Sequence, residues 1–229
     1  RVRRALNMAL DKDIIAQKVM GQGQRAAWVI SQPEIGGVKL HAPEYASWPL
    51  EKRIAEAKKL LAEAGFGPEH PLSLNLLYNT FETHQRIAIA ASSMWKKNLG
   101  VEAKLQNQEW KTMLDTMHTG NFDVVRYAWI ADYDDASSFL NIFRTGDSEN
   151  TTKYSNPAFD EAMRNAAKAN SLEERGKYYQ QAEDLLGDDV PAIPVYHYVR
   201  THLVKPWVGG FAPDNRGNYY TKDMYIKKH

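Results

Sequence analysis

Apolar residues along this chain keep two periods, and the changes from one to the other mark its elements. From Val2 to Val19 the spacing is helical: Val2, Leu6, Ala9 and Leu10 share a face, which Ile14 and Val19 extend. From about Gln22 to Pro49 the period is lost. This stretch is rich in Gly, Pro and aromatic residues ("PEIGGVKLHAPEYASWP"), and a loop this long in a compact domain is usually functional or packed against a partner. The helical period returns in "PLEKRIAEAKKLLAEAGFGP". Ile54, Ala57, Leu60, Leu61 and Ala64 form its apolar stripe, Glu51, Glu56 and Lys59 lie outside it, and Gly65 ends it.

In the middle of the chain the two periods alternate. "LSLNLLY" (Leu72–Tyr78) reads as a strand, "ETHQRIAIAASSMWKKNLG" as a helix closed by Gly100, and "VEAKLQN" (Val101–Asn107) as a second strand. "EWKTMLDTMHTG" is a shorter helix, and "FDVVRYAW" (Phe122–Trp129) a third strand. Strand–helix alternation predicts an α/β fold with a largely parallel sheet flanked by helices. In such sheets ligands bind beyond the carboxyl ends of the strands. Those ends carry Asn79, Gln108 to Trp110, and Trp129 to Asp132.

The last third turns helical. Asn156–Pro157 open "AFDEAMRNAAKA", and Ser171 with Glu174 makes a capping box for "SLEERGKYYQQAEDLLG". "VPAIPVYHYVRTHLV" reads as a strand or hairpin, at a sheet edge because of its two prolines. The tail "KPWVGGFAPDNRGNYYTKDMYIKKH" is aromatic and turn-rich, with no obvious partner in the chain.

Composition narrows the function classes. The 229 residues are enough for one large domain or two small ones. A net charge of +1 offers no electrostatic case for nucleic acid or an anionic membrane surface. No run of about 18 apolar residues exists, so no spanning helix is predicted. The absence of cysteine excludes a disulfide framework, a thiolate metal site and a cysteine nucleophile. The chain begins mid-helix, without Met and without the apolar core of a signal peptide, which leads us to expect a piece of a longer protein.

The candidate chemistry gathers where strands end. His84 falls in the first turn of its helix, where free backbone N–H groups favour an anion; it is either a carboxylate-binding residue or a solvated surface histidine. Arg126 lies inside the third strand, where an unpaired cation would be costly. It should therefore have a carboxylate partner, internal or from a ligand. Asp132, Asp134 and Asp135 crowd one turn. One of them serves as a helix cap for "ASSFLNIF"; the cluster as a whole could bind an ammonium group, do acid–base work, or hold calcium, although EF-hand spacing is absent. His197 and His202 would face opposite sides of a strand and make a poor metal pair. Trp110, Tyr127, Trp129, Tyr133, Tyr196 and Tyr198 fall at strand ends or on the presumed edge hairpin, as core residues or as a ligand wall. No P-loop, nucleophile elbow or zinc motif is present.

"LLYNTFETHQRIAIAASSMWKKNLGVEAKLQNQEWKTML", "GNFDVVRYAWIADYDDASSFLN", "IPVYHYVRTHLVKPWVGG" and "MYIKKH" together resemble the periplasmic oligopeptide-binding proteins of bacterial ABC importers, solute-binding protein family 5. The resemblance covers the whole chain. It implies a periplasmic-binding-protein-like lobe: residues 1–205 as one of two peptide-binding lobes, and residues 206–229 as a tail returning to the other. Family members run to about twice this length, since one chain forms two lobes and an added domain. The function it implies is binding of short peptides in the periplasm and delivery to a membrane ABC permease, with no enzymatic step, no cofactor and no nucleic acid. By resemblance, Asp132 holds the peptide α-ammonium, and Arg126 and His84 serve peptide carboxylates. Asn79, Trp110, Trp129 and Tyr198 line the site or its side-chain pockets.

Two positions depart from the best-known oligopeptide binders. Met20 stands where they have a lysine for the peptide C-terminus, and Ile130 where they have a cysteine. Both changes resemble the murein-peptide-binding branch, whose ligand is a cell-wall tripeptide with extra carboxylates. A rival of another class is a metal-dependent hydrolase using Asp132, Asp134 and His84. A third is an interaction module. In a single lobe, surfaces that would meet the other lobe are expected to promote self-association or weak peptide binding.

Overall fold

The computed structural model describes residues 1–214 and 217–228; the tail's Asn215, Arg216 and His229 lie outside the described residues. Helix α1 (Val2–Met8) buries Ala5, Leu6 and Met8, and Ala9 and Leu10 follow inside. The single helix expected through Val19 is interrupted. Asp11 accepts a hydrogen bond from the Ile14 N–H at 3.0 Å and starts a new turn, α2 (Lys12–Ile14), which widens into a π-helix over Ile15–Met20. The break rotates the apolar face, so Ile15 and Ala16 are buried while Ile14 is exposed.

Helix α3 (Leu50–Glu63) buries Ala57 and Leu61 as its stripe requires and packs on α1. Three parallel strands follow: β2 (Ser73–Asn79) in the centre, β3 (Glu102–Gln108) on one side and β4 (Val124–Val125) on the other. Register runs from Ser73↔Glu102 to Asn79↔Gln108, and Leu76↔Val124 pairs the third strand. Helix α4 (Glu82–Leu99) crosses back from β2 to β3 and buries Ile87, Ala88, Ala91 and Trp95. The Trp95 Nε1–H donates to the Leu6 carbonyl at 2.9 Å and ties the crossover to α1. Helix α5 (Trp110–Thr119) connects β3 to β4. The third strand is much shorter than expected. After the Arg126 N–H bonds to the Leu77 carbonyl at 2.7 Å, the chain from Tyr127 to Trp129 leaves the sheet.

A second core forms around α7 (Pro157–Lys168) and α8 (Leu172–Asp189), with Phe159, Ala162, Met163, Tyr179, Ala182 and Leu186 buried between them and their neighbours. The short helix α6 (Ser137–Leu140) adds Phe139 and Leu140. Asn156 caps α7 through the Ala158 N–H at 3.0 Å. Ser171 caps α8 through the Glu174 N–H at 3.1 Å; Glu174 reaches back to the Asn170 N–H, one residue earlier than an ideal capping box.

Of the strand or hairpin expected at Val190–Val204, a short strand forms. Only β5 (Tyr196–His197) is a strand, and it pairs antiparallel with β1 (Arg25–Ala26) from the long loop. That loop is therefore internally packed: Ile35 and Val38 join the second core, and Tyr45 the first. The tail closes on itself through β6 (Val208–Gly209) and β7 (Tyr225–Ile226), leaving Trp207, Tyr220, Tyr225 and Ile226 exposed.

Candidate functional site

Between the two cores lies a cavity of about 830 Å³. Its walls come from the loop at 27–35, from the segment leaving β4, from Phe139 and Phe143, and from the chain around β5. Of the residues that the resemblance assigns to the peptide site, Arg126, Trp129 and Tyr198 line it. Asn79, His84, Trp110 and Asp132 lie outside its lining, although each sits beside the strand ends that feed it.

Arg126 follows β4 at its carboxyl end, half-buried. Of the two partners expected for it, the internal carboxylate is not found: among the described residues it forms no ion pair, and its guanidinium donates to the Tyr198 hydroxyl. The cation tolerates this because it does not lie inside the sheet; partial exposure to water replaces the missing counter-ion. Tyr198 meets Tyr196 edge to face with ring centroids 5.2 Å apart. Burial, and then the neighbouring Tyr198, push the Tyr196 hydroxyl up to about 12. His197, also in the wall, is held near 4 by burial and is a neutral imidazole at physiological pH.

A second cluster adjoins the first. Asn79 ends β2 and His84 starts α4, and the His84 Nδ1 lies 2.7 Å from the Asn79 Oδ1. The Phe81 ring is 4.9 Å from the imidazole. Burial, aided by the charge of Arg126, lowers the His84 pKa to about 4. Trp110 stacks on Tyr127 at 6.1 Å with ring planes 10° apart, and Tyr127 lines the cavity. The aromatic residues are less buried than core residues would be: Trp110, Tyr127, Tyr133 and Tyr198 are all exposed. Trp129 is half-buried, its Nε1–H committed to the Ser138 carbonyl at 2.7 Å.

The acidic turn divides by role. Asp135 is structural: its carboxylate accepts from the Ser137 N–H at 2.9 Å, from Tyr179 at 2.5 Å and from Arg175 at 3.2 Å. Burial works to raise its pKa, but these bonds outweigh it and hold the carboxyl below the usual range. Asp134 accepts from the Gly36 N–H at 2.8 Å and lines the cavity. Gly36 has φ +58°, and a Cβ there would stand 3.0 Å from the Asp134 carbonyl, so only glycine allows this approach. Asp132 is exposed, with its backbone N–H donating to the Ser138 hydroxyl at 2.8 Å. Among the described residues no group of three or more His, Asp or Glu side chains could hold a metal, so Asp132, Asp134 and His84 do not converge as the hydrolase reading requires.

Two residues that hold the cavity wall escaped the sequence reading. Glu183 of α8 is fully buried and accepts from the Ile30 N–H at 2.9 Å and the Ser31 N–H at 2.7 Å. Its signal was present, because an acid at the helical spacing of Tyr179, Ala182 and Leu186 must find a buried partner. Lys12 is fully buried as well. Its Nζ donates to the Ala27 carbonyl at 3.1 Å and sits 3.8 Å from the Trp28 ring centroid, and burial lowers its pKa well below that of an ordinary lysine.

The family model described as "Bacterial extracellular solute-binding proteins, family 5 Middle" matches residues 1–151. The chain is 51% identical over its whole length to the periplasmic oligopeptide-binding protein OppA of Escherichia coli K12, covering 42% of that protein. It is similar in structure to the Escherichia coli murein tripeptide-binding protein MppA, with a TM-score of 0.91 and 43% identity over 100% of this chain and 45% of that one. Haemophilus influenzae OppA in complex with RPPGFSPFR gives a TM-score of 0.88 and 42% identity over 99% of this chain and 45% of that one. The chain thus spans about two-fifths of the length of the curated relatives it matches.

Proposed function

The chain belongs to family 5 of the bacterial extracellular solute-binding proteins, and from that premise we propose that it is part of a periplasmic protein that binds short peptides and delivers them to an ABC permease in the membrane. Residues 1–205 form a peptide-binding lobe, and residues 206–229 return to a second lobe. Binding closes the lobes on an extended ligand and involves no covalent chemistry. Neither a cofactor nor nucleic acid takes part.

The observation that carries this reading is the cavity at the strand ends, where a guanidinium is held by a phenol rather than by a carboxylate. A cation in that state is ready for an anionic group brought by a ligand, because Arg126 can form charge-assisted bonds without first breaking an internal ion pair. Arg126 and His84 then take peptide carboxylates, and Asp132 takes the α-ammonium. Trp129 and Tyr198 serve as walls, with Asn79 and Trp110 beside them.

A murein tripeptide is the second reading. It is favoured by two cation-capable side chains, Arg126 and His84, lying close enough for one to depress the other, which suits a ligand with several carboxylates. The exposed aromatic surface of the tail also favours self-association of the isolated lobe.

Titration calorimetry of the full-length protein with di- to pentapeptides and with murein tripeptide separates these readings. We expect binding that D132N and R126M both weaken. Absence of heat with every ligand would remove the peptide-binding reading.

A further inference from the structure

We propose that one buried water molecule, donating to Asn7 of α1 and to Glu183 of α8, is a built-in part of the wall behind the large cavity.

The site is a second, much smaller cavity of about 10 Å³ between α1, α8 and the loop at 28–30. That is room for one water molecule and for little else. Asn7, Tyr45, Glu183 and Gly187 give it a polar side, and Leu186, Val190 and Pro194 close the rest. The Asn7 Nδ2 donates to the Tyr45 hydroxyl at 3.0 Å, and that hydroxyl donates in turn to the Gly187 carbonyl at 3.3 Å. These two bonds fix the Asn7 amide. A hydroxyl whose proton is spent on a carbonyl can only accept, so it takes the amide nitrogen and leaves the oxygen elsewhere. The Asn7 Oδ1 is buried, and no group among the described residues donates to it. Glu183 adds a second acceptor. Each of its carboxylate oxygens takes one backbone N–H, from Ser31 or Ile30, and each keeps a further lone pair.

An acceptor buried without a donor is costly, and a buried carboxylate is better held by three hydrogen bonds than by two. One water supplies both needs with its two hydrogens. A metal cation takes about six oxygen ligands, more than this partly apolar wall carries. The small cavity shares Val29, Ile30, Ala192 and Pro194 with the large one, which gives the water its route in. In place, it ties α1 to α8 directly behind the loop that Glu183 already holds. The site uses none of the residues assigned to the peptide.

The test is a crystal structure of the full-length protein at a resolution that shows ordered water, joined to oxygen-17 relaxation in solution, which counts long-lived internal waters. We expect one density peak within about 3 Å of both the Asn7 Oδ1 and a Glu183 oxygen. N7L fills the space with an apolar group and offers no acceptor, so it should hold one long-lived water fewer than the wild type. Should N7L fail to fold, N7V takes its place in the count, and the wild-type density decides by itself. Direct contact between the Asn7 Oδ1 and Glu183, no peak between them, a peak ringed by about six oxygens as a cation would be, or an unchanged water count in the folded variant overturns the proposal.

Discussion

Asp135 and Arg126 stand nine residues apart on one segment, yet the fold treats their charges in opposite ways. Asp135 is enclosed by Ser137, Arg175 and Tyr179, and every strong bond it can make is made within the scaffold. Arg126 reaches the cavity with a tyrosine hydroxyl as its hydrogen-bond partner. A charge whose partners are internal holds elements together. A charge left with a weak partner at a cavity wall is available to something that arrives from outside. The same contrast recurs on α8, where Glu183 is wholly committed to the loop at Ile30 and Ser31.

Breaking the committed charges should unfold, and breaking the uncommitted one should not. The largest effect is expected at Glu183. E183A leaves the buried Ser31 N–H and the half-buried Ile30 N–H without an acceptor, which costs about 3 kcal/mol of folding stability, read as a lower midpoint in urea unfolding. D135N comes next, at about 2 kcal/mol, because it removes the charge from the bonds to Arg175 and Tyr179. Its pH dependence sharpens the point. The folded Asp135 carboxyl is depressed, so its contribution is complete above the unfolded value near 3.9 and is lost as the pH falls through the folded one. The acid arm of the stability profile should therefore flatten in D135N. R126M is the smallest in stability, within about 0.5 kcal/mol as for other surface-like changes, yet it should weaken binding of a peptide carboxylate about tenfold, or about 1.4 kcal/mol. An R126M protein that unfolds like E183A would erase the distinction between the two kinds of charge.

Much of the frame was legible because its causes are local. The alternation in Ser73–Asn79, the stripe of α3, and the caps at Asn156 and Ser171 depend on neighbours within a few residues. The failures share the opposite cause. The helix from Val2 breaks because Asp11 caps a new turn, and its face then turns to suit the strand and helix packed above it. The segment at β5 forms a strand rather than a hairpin because Arg25 to Ala27 of the distant loop take its pairing. Arg126 was read as strand-buried because Val124 and Val125 precede it, but sheet pairing stops there.

The amino-acid sequence by itself determined the α/β order of elements, their caps, and a concentration of charged and aromatic residues at the carboxyl ends of three strands. Periodicity and capping act over one or two turns of chain, so they can be read without knowing what lies opposite. Only the tertiary structure decided which of those charges are used up. Asp135 finds Arg175 across 40 residues, Tyr198 reaches Arg126 across 72, and Glu183 reaches Ser31 across 152. A hydrogen bond is satisfied by whatever group the fold brings within about 3 Å, and sequence separation has no bearing on that distance.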